Sequence, residues 1–112
     1  MFNGAGIETI QDENYKKVSE GVFVNSILFN GEKTLYLSSG KKQIYEIKEA
    51  QPISISQYNN GILEFSEKGE FFPNNSLNTG TQKQFIDNYI ITTIFKNGTE
   101  VSRTTNIDNY YV

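Results

Sequence analysis

Residues 22–37 read VFVNSILFNGEKTLYL, with apolar and β-branched runs on either side of Asn30-Gly31. Asn followed by Gly adopts the positive φ angles of a two-residue type I′ loop at low steric cost, and that loop matches the twist of paired antiparallel strands. The stretch therefore predicts a β-hairpin with strands over residues 22–29 and 33–37 and its loop at Asn30-Gly31.

Three more Asn-Gly dipeptides occur, and those at residues 60–61 and 97–98 also separate runs rich in β-formers. We expect hairpin loops at both places, because the same turn chemistry applies. Residues 85–95 are apolar on both faces, which favours a central strand. Residues 100–106 are polar on both faces and are interpreted as an edge strand.

Turn signals recur about every 8–12 residues, which is typical of a β-sandwich or small barrel. The sequence therefore predicts an all-β domain, a small antiparallel β-sandwich or jelly-roll-like domain over residues 21–112. Residues 1–20 are predicted to form an N-terminal arm with one or two helical turns, and no internal repeat is expected.

The alternation in Ile53-Ser54-Ile55-Ser56 predicts that both Ile side chains face a core and both Ser side chains face water. A shared core is expected to be lined by Leu35, Leu37, Ile53, Ile55, Ile91 and Phe95, or by their immediate neighbours in the alternation.

Composition excludes several classes of function. The 112 residues fit one domain, and 37% hydrophobic with 21% charged residues indicates a globular chain. The chain contains no Cys and no His, so it lacks the thiol nucleophile, the usual general base and the usual transition-metal ligands. A net charge of -3 argues against a duplex nucleic-acid partner, whose phosphates attract basic surfaces.

Acidic residues are scattered, with no spacing that predicts a catalytic pair or a calcium loop. Ser38-Ser39-Gly40 precedes Lys41, but a turn is the better interpretation because no elbow surrounds the serines. We therefore predict a non-enzymatic chain with no catalytic residue, cofactor, metal or small-molecule substrate. No apolar run reaches the length of a membrane span, so no membrane partner is expected.

Two features predict contacts with other proteins. Asn-rich loops offer adaptable amide hydrogen bonding, and the last residues place aromatic side chains at a chain end that would normally fray. The tail could add a strand to its own sheet or to the sheet of a neighbouring subunit, in a homo-oligomer or a hetero-assembly. The predicted partner-binding residues are Asn74, Asn75, Asn78, Tyr110, Tyr111 and Val112.

A single-stranded nucleic-acid binder is an alternative. OB-type barrels stack bases on aromatic side chains beside a cationic groove. The sequence interleaves such residues, namely Lys33, Lys41, Lys42 and Lys48 with Tyr36, Tyr45 and Tyr58.

Residues 32–37 (EKTLYL) and 45–55 (YEIKEAQPISI) resemble β-sandwich domains of bacteriophage virion proteins, in which a strand with a small-residue turn leads into an alternating Ile-Ser strand. The resemblance implies a structural or attachment subunit of the capsid, neck, tail or fibre. It also implies a location in the virion after synthesis in the host cytoplasm.

Residues 61–69 (GILEFSEKG) resemble a segment of the globular domain of minor pilins. Those proteins begin with a long apolar helix, which this sequence does not contain. This resemblance implies a pilus-type protein of the extracellular cell surface.

Overall fold

The computed structural model describes residues 2–107, and these residues form nine β-strands and one 3-10 turn. The strands are β1 (Gly4–Gln11), β2 (Tyr15–Val24), β3 (Ile27–Leu37), β4 (Lys41–Lys48), β5 (Gln51–Asn59), β6 (Ile62–Phe71), β7 (Leu77–Ile86), β8 (Tyr89–Lys96) and β9 (Thr99–Ile107), with the 3-10 turn at Ser38–Gly40 between β3 and β4.

All nine strands belong to one sheet, in which each strand pairs antiparallel with its neighbours in sequence from β1 to β9. The predicted all-β antiparallel class is therefore confirmed. A sandwich or jelly roll is not confirmed, because the described strands form a single open sheet whose edges are β1 and β9.

Most of the predicted N-terminal arm belongs to this sheet. Residues 4–11 are β1, and the predicted boundary after residue 20 lies inside β2. The expectation of helical turns in this region is wrong, because Ile7, Ile10, Tyr15 and Val18 lie on paired strands.

Two of the three predicted Asn-Gly loops are confirmed. Asn60-Gly61 and Asn97-Gly98 connect strands and have positive φ at both residues. The prediction for Asn30-Gly31 is wrong, since both residues lie within β3. The β2–β3 loop is Asn25-Ser26, with φ angles of 51° and 64°. That dipeptide carries a weaker form of the same turn signal, because Asn tolerates positive φ but Ser lacks the freedom of Gly.

Asn30 instead stabilises a loop between two later strands. The N–H of Glu49 donates to Asn30 Oδ1 at 3.0 Å. The N–H of Ala50 donates to the carbonyl of Phe29 at 2.8 Å. Glu49 and Ala50 form the β4–β5 loop and both have positive φ, so these two bonds hold a turn whose residues do not favour that conformation.

The same arrangement occurs at two other loops. In each, the two N–H groups of a two-residue hairpin loop donate hydrogen bonds to two consecutive residues. Those two residues lie in, or just before, the strand that comes before the hairpin in the sequence. Asn25 and Ser26 donate to Asn3 Oδ1 and the Phe2 carbonyl, and Asn97 and Gly98 donate to Thr79 Oγ1 and the Asn78 carbonyl.

An internal repeat is present, contrary to the sequence-based expectation. Each of the hairpins β2–β3, β4–β5, β6–β7 and β8–β9 contains a β-bulge just before its loop. The register shifts occur immediately before Phe23, Ile47, Phe71 and Phe95, so each follows the previous one by 24 residues. Three of these four residues are Phe and the fourth is Ile, so the period is visible in the sequence only once the positions are known.

Glycine pairs mark the first and third of these hairpins. Gly21 opposes Gly31, and Gly69 opposes Gly80. All four have φ between 142° and 153°, and a Cβ on any of them would come within 2.2 Å of a backbone oxygen on the partner strand. These positions therefore accept only glycine, because the two backbones meet where a side chain would stand.

The buried interior is small. The buried apolar side chains among the described residues are Phe23, Tyr45, Ile55 and Leu77. Of the predicted core, Ile55 is buried with 4% of its surface exposed, whereas Ile53 is 38% exposed. The remaining predicted residues, Leu35, Leu37, Ile91 and Phe95, are only partly buried.

The face assignment for residues 53–56 is wrong for a local reason. Glu46 pairs with Ser54 and Ile47 with Pro52, so Ile53 is the extra residue of a β-bulge. A bulge disrupts the alternation of faces. Ile53 is accordingly displaced towards solvent, whereas Ser54, which is paired with Glu46 and Lys68 on its two sides, is buried.

The predicted central strand over residues 85–95 is also wrong. Residues 85–86 end β7, a turn follows at residues 87–88, and β8 begins at Tyr89. β8 lies next to the edge rather than at the centre. The prediction that residues 100–106 form an edge strand is confirmed, because they belong to β9.

Replacing Gly31 by Ala should unfold the domain or destabilise it by more than about 3 kcal/mol, because the new Cβ would lie 2.1 Å from the Glu20 carbonyl oxygen. Gly61→Ala is the matched control, since Gly61 also has positive φ but has no atom within 4 Å of an added Cβ. The control should cost about 1–2 kcal/mol. Urea denaturation followed by circular dichroism measures both, and equal losses would contradict the close approach of β2 and β3.

Ile55→Ala should reduce the free energy of unfolding by about 2–5 kcal/mol, because it removes a buried side chain from a small core. Ile53→Ala should reduce it by less than about 1 kcal/mol, because Ile53 is already partly in solvent. Denaturant titration of the two variants tests the bulge directly. A larger loss for Ile53→Ala would restore the face assignment predicted from the sequence.

Candidate protein interface

The β9 edge is the most exposed element of the sheet. All nine of its residues are exposed, including Val101 at 57% and Ile107 at 64%. β8 covers one side of its backbone, and no described strand pairs with the other side. An uncovered edge presents a row of N–H and C=O groups to which another strand can add.

The charges on β9 neutralise each other. The Arg103 guanidinium donates to Glu100 Oε1 at 2.7 Å, across the β-bulge whose extra residue is Val101. From residue 102 to 107 the strand contains no Lys, Pro or Gly. Charged side chains, proline and bulges are the usual devices that prevent edge pairing, and β9 has the bulge near its start and the two mutually neutralised charges of Glu100 and Arg103.

The predicted Asn contacts occupy two environments. Asn74 and Asn75 lie in the exposed β6–β7 loop, where Asn74 Oδ1 accepts hydrogen bonds from the backbone and hydroxyl of Ser76. Asn78 lies within β7 and not in a loop, and its carbonyl accepts from Gly98. Their binding role stays a prediction. Tyr110, Tyr111 and Val112 lie outside the described residues.

Polar side chains form a hydrogen-bonded chain across β4, β5 and β6. The Tyr45 hydroxyl donates to Gln43 Oε1, Gln43 donates to Gln57 Oε1, and Gln57 donates to Glu64 Oε1 at 2.9–3.0 Å. Lys41 lies 3.7 Å from the same Glu64 oxygen. These hydrogen bonds link three strands through neutral amide groups and fix the position of the Glu64 carboxylate.

Lys33 and Tyr45 stack on the same face. The Lys33 ammonium lies 4.5 Å from the Tyr45 ring centroid, an attractive cation–π contact. Burial lowers the pKa of Lys33, with a smaller contribution from the charge of Lys17. Burial also raises the pKa of Tyr45, with a smaller contribution from Glu67. The two residues are directly paired across β3 and β4, so their contact links these strands.

A second row of cations and aromatics crosses the opposite face. Lys16, Tyr36, Lys42 and Tyr58 are directly paired across β2 to β5. The Lys16 and Lys42 ammonium groups lie 5.8 and 5.3 Å from the rings of Tyr36 and Tyr58. The cations and aromatics considered for nucleic-acid binding are thus divided between two faces.

Carboxylates share the face that carries this row. Glu20, Glu32 and Glu46 are paired across β2, β3 and β4, four residues along the strands from the cations. Successive residues of a strand alternate between faces, so a separation of four keeps both rows on one side. Three carboxylates repel phosphates, which disfavours a nucleic-acid groove there.

Among residues 2–107, no three acidic side chains form a group that could hold a metal ion. Ser39 lies in the 3-10 turn, and its hydroxyl donates to the Ser38 carbonyl.

The described part of the chain has no helix with the length and apolar character needed to cross a bilayer.

Comparisons with known proteins add no relative. The chain matches no protein-family model, and it has no significant match among curated proteins or solved structures.

The β1 edge was missed by sequence reasoning, which assigned residues 1–20 to an arm. Its outer backbone has no pairing strand among the described residues, and Ile7 is 66% exposed. The available signal was the repeated Phe-Asn-Gly at residues 2–4 and 29–31, which places the same motif at the start of β1 and in β3.

Proposed function

We propose that this domain is a non-enzymatic structural subunit that associates with a second copy of itself through the free edge of β9. The observation that supports this proposal is the exposure of all nine β9 residues on an edge with no net charge. Isologous pairing of two such edges is the simplest closed assembly, because one surface then serves both partners.

The residues of β9 suit antiparallel self-pairing. A twofold axis at Thr104 would place Arg103 opposite Thr105 and Ser102 opposite Asn106 of the second copy. Over residues 101–107 no like charges then face each other across the new ladder, and β-branched Thr residues pack well on a sheet surface. The pairing would double the sheet and cover the exposed edge of each copy.

A virion is the proposed location of this assembly, and this part rests on the resemblance of residues 32–37 and 45–55 to bacteriophage virion proteins. Those segments lie in β3, β4 and β5 and in the loop between β4 and β5, in the middle of the sheet. Such a subunit would decorate a capsid or build a neck, tail or fibre. The pilus-type and single-strand-binding alternatives stay predictions.

Placing lysines on the edge tests the proposal. In the double variant Ser102→Lys/Thr104→Lys, both new side chains are exposed on β9, so folding should be unaffected while the paired edges repel each other. Size-exclusion chromatography with light scattering should show a dimer for the natural chain and a monomer for this variant. The matched control is Ser38→Lys/Gln51→Lys, which adds the same charge at exposed positions between β3 and β5, away from β9, and should remain dimeric.

A natural chain that is monomeric up to millimolar concentration would contradict the proposal. So would a β9 double variant that associates as strongly as the natural chain.

A further inference from the structure

β1 is structurally equivalent to β3 and β7. Each of these strands contains a glycine directly after the two residues that accept hydrogen bonds from a two-residue loop. The three glycines are Gly4, Gly31 and Gly80, with φ angles of 120°, 153° and 152°.

On the following strand of the sheet, the three glycines have equivalent partners. Each pairs with one of the residues at which the register shifts, which recur every 24 positions. Gly4 pairs with Phe23, Gly31 with Ile47 and Gly80 with Phe95. β1 therefore occupies the place of the second strand in a repeat hairpin.

On their other side the three glycines differ. Gly31 opposes Gly21 and Gly80 opposes Gly69, and a Cβ on Gly31 or Gly80 would lie 2.1 Å from a backbone oxygen of that partner strand. A Cβ on Gly4 would meet no atom within 4 Å. Gly4 thus keeps the backbone conformation that admits a closely approaching strand, at an edge where the described residues supply none.

We propose that the β1 edge binds an extended segment of another polypeptide, added antiparallel to β1 with a glycine opposite Gly4. Addition of a strand to a sheet edge draws its affinity from backbone hydrogen bonds and its specificity from alternate side chains. The glycine is required because the segment must approach Gly4 as Gly21 approaches Gly31.

The side chains of β1 define the rest of the segment. Glu8 is the single charged residue of this strand, and Ile7 and Ile10 are exposed at 66% and 38%. Antiparallel pairing places Ile7, Glu8 and Ile10 opposite the residues three, four and six positions before the incoming glycine. The segment should therefore carry an apolar residue, a cation and an apolar or aromatic residue at these positions.

A groove beside β1 extends this surface. It is lined by Phe2, Gly6, Ile7, Phe23 and Ser26, and the Phe2 ring contacts the Phe23 ring edge-on with centroids 5.6 Å apart. Phe2 is 49% exposed, so an apolar side chain of the incoming segment can cover it. Covering these aromatic and aliphatic groups adds apolar burial to the backbone hydrogen bonds.

Residues 15–24 of this chain, YKKVSEGVFV, provide a peptide probe with the required pattern. With Gly21 of the peptide opposite Gly4, its Val18, Lys17 and Tyr15 face Ile7, Glu8 and Ile10. Within the chain itself the register differs, because Glu8 pairs with Ser19 and Lys17 with Ile10. A contact between Glu8 and Lys17 therefore reports edge addition and not replacement of β2.

The test measures fluorescence anisotropy of the labelled peptide against the full chain. The natural peptide should bind, and its Gly21→Val form should not. Glu8→Lys in the chain should weaken binding of the natural peptide about ten-fold through like-charge opposition. The peptide with Lys17→Glu should bind the natural chain weakly and regain affinity for the Glu8→Lys chain.

Absence of binding, equal binding of the Gly21→Val peptide, or no rescue by the charge exchange would each overturn the proposal. Self-association of the natural chain that is lost in Glu8→Lys would assign this edge to a second copy instead. The Ser102→Lys/Thr104→Lys chain should bind the peptide as the natural chain does, so failure at β9 and failure at β1 are separate results.

Discussion

The continuous antiparallel backbone ladder is the interaction on which this structure depends. Each strand pairs with the next from β1 to β9, and only Phe23, Tyr45, Ile55 and Leu77 are buried apolar side chains within residues 2–107. A sheet with so little packed interior relies on hydrogen bonds and cross-strand side-chain pairs for most of its order. Examples are the hydrogen bonds that run from Tyr45 to Glu64 and the Lys–Tyr contacts on both faces. The same polar side chains therefore form the surface of the sheet and stabilise it.

The ladder also explains why the edges are the functional candidates. A sheet built from hairpins that follow one another must end in two strands with one unpaired side, unless it closes or is covered. The repeat of 24 residues makes the two ends unequal. β9 is the second strand of a complete hairpin, whereas β1 has the place of a second strand whose first strand is not among the described residues. Gly4 has a positive φ, as Gly31 and Gly80 do, but it lacks their glycine partner. Different partners are therefore expected at the two ends.

Local turn chemistry was predictable from the sequence, and longer-range geometry was not. Asn60-Gly61 and Asn97-Gly98 form the expected loops because their own conformational preferences decide the turn. Asn30-Gly31 has the same preference, but the hydrogen bond that Asn30 Oδ1 accepts from Glu49 and the approach of Gly21 to Gly31 place it within a strand. Ile53 was misassigned because a bulge shifts its face, and residues 100–106 were recognised because polarity on both faces is a property of the strand itself. The β1 surface depends on an equivalence between strands that becomes visible only in the pairing register.

Hydrogen–deuterium exchange at two protein concentrations tests the central claim that this is an open sheet whose edges associate. At low concentration the amides of β4 and β5 should be protected, while alternate amides of β9 exchange rapidly because they face solvent. At high concentration those β9 amides should become protected as the edges of two copies pair. Exchange from β9 that is slow at low concentration would show that the edge is already covered within one chain. Exchange that stays rapid at high concentration would show that the edge does not associate.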